Sequence, residues 1–388
     1  MKNKHVMLIV LLAGGLMLVQ AQEGTIVQGN NLAEKLQWLN VFAQSNTSYI
    51  IELNAGEKNN YGWDFSYSGK SGITITLRGV GANRTISRDE ASGGNFAVGS
   101  GVTLVLDNIN IPFRNNFRSN VEVKRGGSLI MNNGSTINGG VTNGGTFTMN
   151  GGKISGNDNG VSTDTSTYRN SLNGGGVVVH GGTFTMNGGE ISGNNGHGVS
   201  VGNWNTGSRI NSGTFTMSGG TISGNKGGVV MHGGTFTMSD GTISGNTTIG
   251  DSIEAGVSVW SYGTFTMNGG TISGNKGTGV FMGAGTFTMS NGTISGNTAS
   301  FSGGGVYVYQ YGTFTKTGGT IYGYNASDTV NSNVVKDSSG AVQKYKGHAV
   351  YASSNNLTKI REGTAGPEDN MSFDGRKNPP TASGAWDN

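Results

Sequence analysis

The stretch GGTFTMSDGTISGN, Gly233 to Asn246, decides the fold. Nearly the same phrase stands at Gly181 to Asn194, Ser212 to Asn225, Tyr262 to Asn275 and Ala284 to Asn297. Within it Phe236 and Met238 alternate with Thr235 and Thr237, the two-residue period of a strand with one buried face. The Gly and Asn between the strand-like words suit corners, where positive φ is often needed.

Seven Phe mark the phrase: Phe147, Phe184, Phe215, Phe236, Phe265, Phe287 and Phe314. An Ile follows each at +7: Ile154, Ile191, Ile222, Ile243, Ile272, Ile294 and Ile321. A Val-rich word precedes Phe, starting at Val177, Val199, Val229, Val257, Val280 and Val306, 7 or 8 residues upstream except for 16 at Val199. The shortest full repeat, Phe215 to Phe236, is 21 residues and divides into three steps of seven through Ile222 and Val229. Three equal sides describe one triangular turn of chain. One turn cannot bury its apolar side alone; stacked turns bury a continuous core, with Phe on Phe, Met on Met and Ile on Ile. Asn157, Asn194, Asn225, Asn246, Asn275 and Asn297 then align at one corner, their amides reaching from turn to turn.

The repeats GTFTMxxGxISGN with GVxV resemble the right-handed parallel β-helix proteins of the pectin-lyase-like superfold. More closely they resemble the Gly/Thr/Asn-rich β-helix repeat proteins exported by bacteria, often described as surface or adhesin-like. The resemblance covers about Gly126 to Lys359. It implies an all-β, three-sided solenoid. It implies no one activity, since the superfold hosts lyases, hydrolases, adhesins and phage spikes. No barrel-sized segment follows the repeats, a departure from autotransporters that argues against self-anchoring.

Composition agrees. Gly supplies 72 of 388 residues with only 4 Pro, so collagen is excluded and the Gly is corner chemistry. There is no Cys, hence no disulfide framework and no lipid-modified cysteine. Lys2 and Lys4, the apolar run Val6 to Val19 and the small-residue site Val19-Gln20-Ala21 read as a signal peptide spanning residues 1–21. Removing its two Lys lowers the formal charge from +3 to +1, which leaves no electrostatic case for nucleic acid. No later run is long and apolar enough to span a bilayer as a helix.

The expected organisation is therefore a signal at 1–21, an N-terminal cap region at 22–46, irregular coils at 47–125, regular repeats at 126–360 and a C-terminal cap or tail at 361–388. Asn31 to Gln44 has a helical pattern, with Asn30 or Asn31 as cap and Leu32, Leu36, Leu39 and Phe42 on one face. Such a helix covers the open end of the solenoid. Near the other end Lys316 and Lys359 fall where Met is expected, which predicts a core ending there with the ammonium snorkelling to solvent.

Enzymes of the superfold place acid and basic clusters on one outward face. The outward strand positions of these repeats are overwhelmingly Thr and Ser. Glu190 is the one acid among them, with Lys153 one coil earlier as its expected partner. Asp64, Arg78, Arg84, Arg88, Asp89, Glu90 and Asp107 lie in the irregular half, and nothing in their spacing makes a carboxylate pair. No catalytic residue, cofactor or metal is assigned. His180 and His232 share an outward column two coils apart and read as surface histidines; the corner Asn is not the regular Asp of calcium-binding rolls.

Two outward features remain. Thr-x-Thr pairs from Thr146/Thr148 to Thr313/Thr315 line one face and resemble the ice-binding faces of some β-helical antifreeze proteins, although Thr is equally a favoured outward strand residue. Aromatic residues gather late in the Val column, after the smaller Val178, Ser200, Val230 and Ser258: Trp260, Tyr262, Phe281, Tyr307, Tyr309 and Tyr311. An exposed aromatic cluster suits a sugar ring or a protein partner; burial beneath the insertion at 322–349 is the alternative. The expectation is an exported, non-enzymatic surface protein that binds a glycan or a host or cell-surface protein. A polysaccharide lyase or glycoside hydrolase and an ice-binding protein stand as alternatives.

Overall fold

A computed structural model describes residues 24–59, 63–88, 96–112, 121–157, 175–202, 212–247, 254–260, 262–343, 347–352, 372–373 and 385–386. The chain is a parallel β-helix. Its strands fall on three sides, and each side is a parallel sheet running from coil to coil.

On the first side the column Tyr49, Ile75, Leu104, Leu129 leads without a break into Phe147, Phe184, Phe215, Phe236, Phe265, Phe287 and Phe314. The irregular N-terminal coils thus share the register of the regular ones. On the second side Ile137, Ile154, Ile191, Ile222, Ile243, Ile272, Ile294 and Ile321 follow one another. On the third, Trp63, Phe96, Val121, Val141 and Val177 lead into Val199, Val229, Val257, Val280, Val306 and Val350.

Packing follows from register. The seven Phe rings form one stack, with centroids 4.5 to 4.9 Å apart and planes within 14° of parallel. The strand spacing of ~4.8 Å sets that distance, and each buried ring contributes on the order of 2 kcal/mol. Glycine is required where TFTM turns the corner: Gly220 has φ +82°, and a Cβ there would lie 2.6 Å from Cε of Met186 on the coil before.

The corner Asn form a buried ladder. The backbone N–H of Asn194 donates to Oδ1 of Asn225 at 3.1 Å, that of Asn225 to Asn246 at 3.1 Å, and that of Asn275 to Asn297 at 3.0 Å. The ladder has one member more than the repeat phrase marks. Asn297 donates to Oδ1 of Asn333, inside the insertion that follows Ile321. That insertion adds a short parallel pairing of Thr298–Ala299 with Val334–Val335 and so continues the corner.

The N-terminal helix spans Leu32–Phe42, with Asn31 as its cap accepting from the Glu34 N–H. Leu32 and Leu39 are buried as expected, but Phe42 is exposed. The helix stops at Phe42, and Ala43 takes the inward place after the turn. At the other end Lys316 departs from expectation. It stands in register with Met289 and is 1% exposed, so it is enclosed rather than snorkelling. Beyond it two short strands run the other way: Phe373 pairs antiparallel with Phe314, and Trp386 with Val350. Lys359 lies outside the described residues.

Candidate binding site at the aromatic corner

The outward residues of the Val side form two neighbouring columns. In the first, Ser258, Phe281, Tyr307 and Tyr351 are in register. In the second, Trp260 is followed by Gly283 and then Tyr309, the positions just after Val259, Met282 and Val308. The chain then turns into the Phe side through a third set of positions, each just before a registered glycine: Tyr262, Ala284 and Tyr311.

The six aromatic candidates divide. Phe281 and Tyr307 point away from the core, as the alternation requires, but they are 1% and 5% exposed. Their expected exposure is thereby corrected, and the cause is the column itself. Phe281 lies 4.9 Å from Trp260 and 5.5 Å from Tyr307 by ring centroids, and Tyr307 lies 5.3 Å from Tyr351 in an edge contact. Gly303, with φ +64°, brings its backbone against the Tyr307 Cβ. Burial, then the neighbouring Tyr351 and Tyr309, push the Tyr307 phenol up to about 12. These two rings are the support of the surface.

The other four make the surface. Trp260 is half-buried and lies against Gly283, where any side chain would collide with the indole. Tyr309 is 37% exposed, and Tyr262 and Tyr311 are 76% and 75% exposed. Tyr262 also has φ 65°, a left-handed conformation that Gly181 holds at the equivalent corner with φ 69°. A tyrosine there costs about 1 kcal/mol. The three coil segments that carry this surface, 256–268, 279–291 and 305–315, contain no Asp, Glu, Lys, Arg or His.

Elsewhere on the same side the outward residues are not the open surface their size suggests. Val178, Ser200, Val230 and Ser258 are all buried. His180 and His232 are likewise partly buried rather than surface groups, and burial lowers both imidazoles, His232 to about 4. His197 carried no signal in the repeat pattern, yet it is buried against Gly227 and is held at about 3 by burial and by the nearby His232.

The charged residues make separate pairs. Lys153 Nζ donates to Glu190 Oε1 at 3.0 Å, as the column predicts, and a Ser192 hydrogen bond, with that contact second, lowers the Glu190 carboxyl. Arg78 pairs with Asp107 at 3.3 Å and Lys124 with Asp64 at 3.5 Å. Arg84 donates to the Val80 carbonyl. The side chains of Arg88, Asp89 and Glu90 lie outside the described residues. Among the described residues no group of three His, Asp or Glu converges as for a metal, and no helix is long and apolar enough to cross a membrane. The insertion at 322–349 meets the corner Asn ladder, and Tyr324 in it packs on His348 at 5.3 Å. No family model, curated protein or solved structure matches the chain.

Proposed function

We propose that this chain is an exported, non-enzymatic β-helix of the adhesin-like kind, displayed at a bacterial cell surface or released from it. It binds a glycan or a host or cell-surface protein. The observation that carries the reading is the uncharged aromatic corner on the later coils, where Trp260 packs on Phe281 and Tyr309 on Tyr307, and Tyr262 and Tyr311 stand exposed at the turn that follows. Aromatic side chains offer large, stiff contact area with a polar tip, which suits carbohydrate rings and protein hot spots alike. Asp107 and Asp64 of the N-terminal coils are engaged with Arg78 and Lys124 rather than with each other.

The test is a screen of the mature protein against a glycan array and against host-cell surface extracts. Trp260→Ala and Tyr309→Ala are expected to abolish the binding found, Tyr309→Ala with little change in melting temperature and Trp260→Ala with some loss, because its indole covers Phe281. A bound ligand that ignores both substitutions overturns the assignment to this corner.

Ice binding is a second reading, supported by the Thr face. Thr183, Thr214, Thr235 and Thr264 are exposed and stand in one register on successive coils. It predicts altered ice-crystal shape at high protein concentration. Ordinary crystal growth dismisses it.

A further inference from the structure

The aromatic corner has a gap in its middle. Of three successive coils, the outer two present Trp260 with Tyr262 and Tyr309 with Tyr311, and the one between them presents Gly283 with Ala284. Tyr262 and Tyr311 are thus separated by two strand spacings, ~9.6 Å between backbones. A ring held between two aromatic faces needs about 7 to 8 Å, twice a carbon–carbon contact. Ala284, itself partly buried, is the side chain that this register places between them, so the column leaves room for about one ring.

We propose that this gap is a pyranose slot, taking one sugar unit of a neutral polysaccharide between Tyr262 and Tyr311. The proposal rests on the ligand-binding reading above and narrows it to one chemistry. Three observations lead to it. The lack of any charged residue on the three coil segments matches an uncharged ligand and offers nothing to a sulfated or uronic one. Two residues beyond the tyrosines, Thr264 and Thr313 are exposed and Thr286 is partly so, which places hydroxyls beside the slot for the sugar's own. Tyr262 keeps a left-handed backbone at a corner that glycine satisfies without strain, and such strain persists where the side chain serves function.

Trp260 then has a separate part. Its indole fills the space over Gly283, so the floor beside the slot is an aromatic face rather than backbone. A neighbouring sugar of the same chain lies on that face, and the chain crosses from the Val side toward the Thr side.

The discriminating substitution is Ala284→Tyr. It fills the slot while adding aromatic surface, at a partly buried column position where both neighbouring coils already carry Tyr. The probes are neutral hexaoses of glucose, xylose, mannose and N-acetylglucosamine, titrated calorimetrically into the mature full-length chain. The wild type is expected to bind at least one of them. Ala284→Tyr is expected to weaken that binding at least ~10-fold, equal to 1.4 kcal/mol, with an unchanged melting temperature. Tyr262→Gly is expected to weaken it as much without lowering the melting temperature. Binding that survives Ala284→Tyr overturns the slot while leaving a glycan-binding surface in place. A wild type that binds no neutral hexaose but captures a protein through Trp260 overturns the slot and keeps the interaction reading. A wild type that binds neither overturns both.

Discussion

Asn246 directs its backbone N–H and its side-chain amide to one acceptor, Oδ1 of Asn275, each at 3.0 Å. The same amide nitrogen donates to the Ile222 carbonyl at 3.0 Å, and the Asn246 oxygen accepts from Asn225. One side chain thereby joins three coils where water does not reach. Asn246→Ala removes donor and acceptor together and strands the Asn225 amide, so it is expected to cost about 1 to 3 kcal/mol. Asn246→Asp keeps the acceptor but loses both side-chain donations, and at neutral pH it adds a buried charge. It is expected to be worse than Ala at pH 7. Denaturant melts of the two variants check the order.

The Phe stack makes a second prediction. Phe236 lies between Phe215 at 4.5 Å and Phe265 at 4.7 Å and is fully buried. Phe236→Ala leaves a cavity with no neighbour able to close it and is expected to cost about 3 to 5 kcal/mol. Each coil leans mainly on its two neighbours, so hydrogen exchange should rise first in the coils of Phe215 and Phe265. Even loss of protection along the whole chain would contradict nearest-neighbour stabilisation.

Acid should weaken the fold through two histidines. Burial lowers His197 to about 3 and His232 to about 4, against 6.5 for an exposed imidazole. The unfolded chain therefore binds protons first as pH falls. The stabilisation is whole above about pH 6.5 and declines toward pH 4 and 3. At pH 5 the loss is about 2 kcal/mol for each histidine. A His197→Phe, His232→Phe double variant is expected to flatten the dependence of the urea midpoint on pH between 7 and 5. An unchanged slope would place the acid sensitivity elsewhere.

The Lys153–Glu190 bridge should matter little. Both side chains are more than two-fifths exposed, and water and salt screen such pairs to below about 1 kcal/mol. A double-mutant cycle with Lys153→Ala and Glu190→Ala is expected to return a coupling under that figure, vanishing in molar salt. A larger coupling would mean the pair is shielded from solvent.

Where spacing repeats, the sequence was fully legible. The invariant step from each Phe to its Ile leaves one way to stack the coils, and the observed columns follow it, as does the Lys153–Glu190 pair. Legibility stops where a feature depends on what lies across a surface. Period-two alternation tells which way Phe281 and Tyr307 point, but not that Trp260 and Tyr307 cover Phe281 while Tyr351 and the Gly303 loop cover Tyr307. Asn333 escapes because Tyr324 stands where the corner Asn is expected, three residues after Ile321, and Asn333 comes nine residues later. Helical spacing puts Phe42 on one face with Leu32 and Leu39, but the helix ends on it and Ala43 goes inward instead. Lys316 reads as an edge residue because its charge is visible in sequence and its enclosure is not.

The two reversed strands at the last coil, Phe373 against Phe314 and Trp386 against Val350, bear on where the stacking of coils stops. Every parallel coil leaves an edge that offers the same donors and acceptors, in the same direction, as the edge it has just covered. Growth by that rule has no internal stop, and a foreign coil is templated as readily as the next stretch of the same chain. A strand laid in the opposite sense turns its peptide groups around, so the edge it presents no longer matches an incoming parallel strand. The reversal works as a chain terminator works in polymerisation: it separates a solenoid of defined length from a fibre.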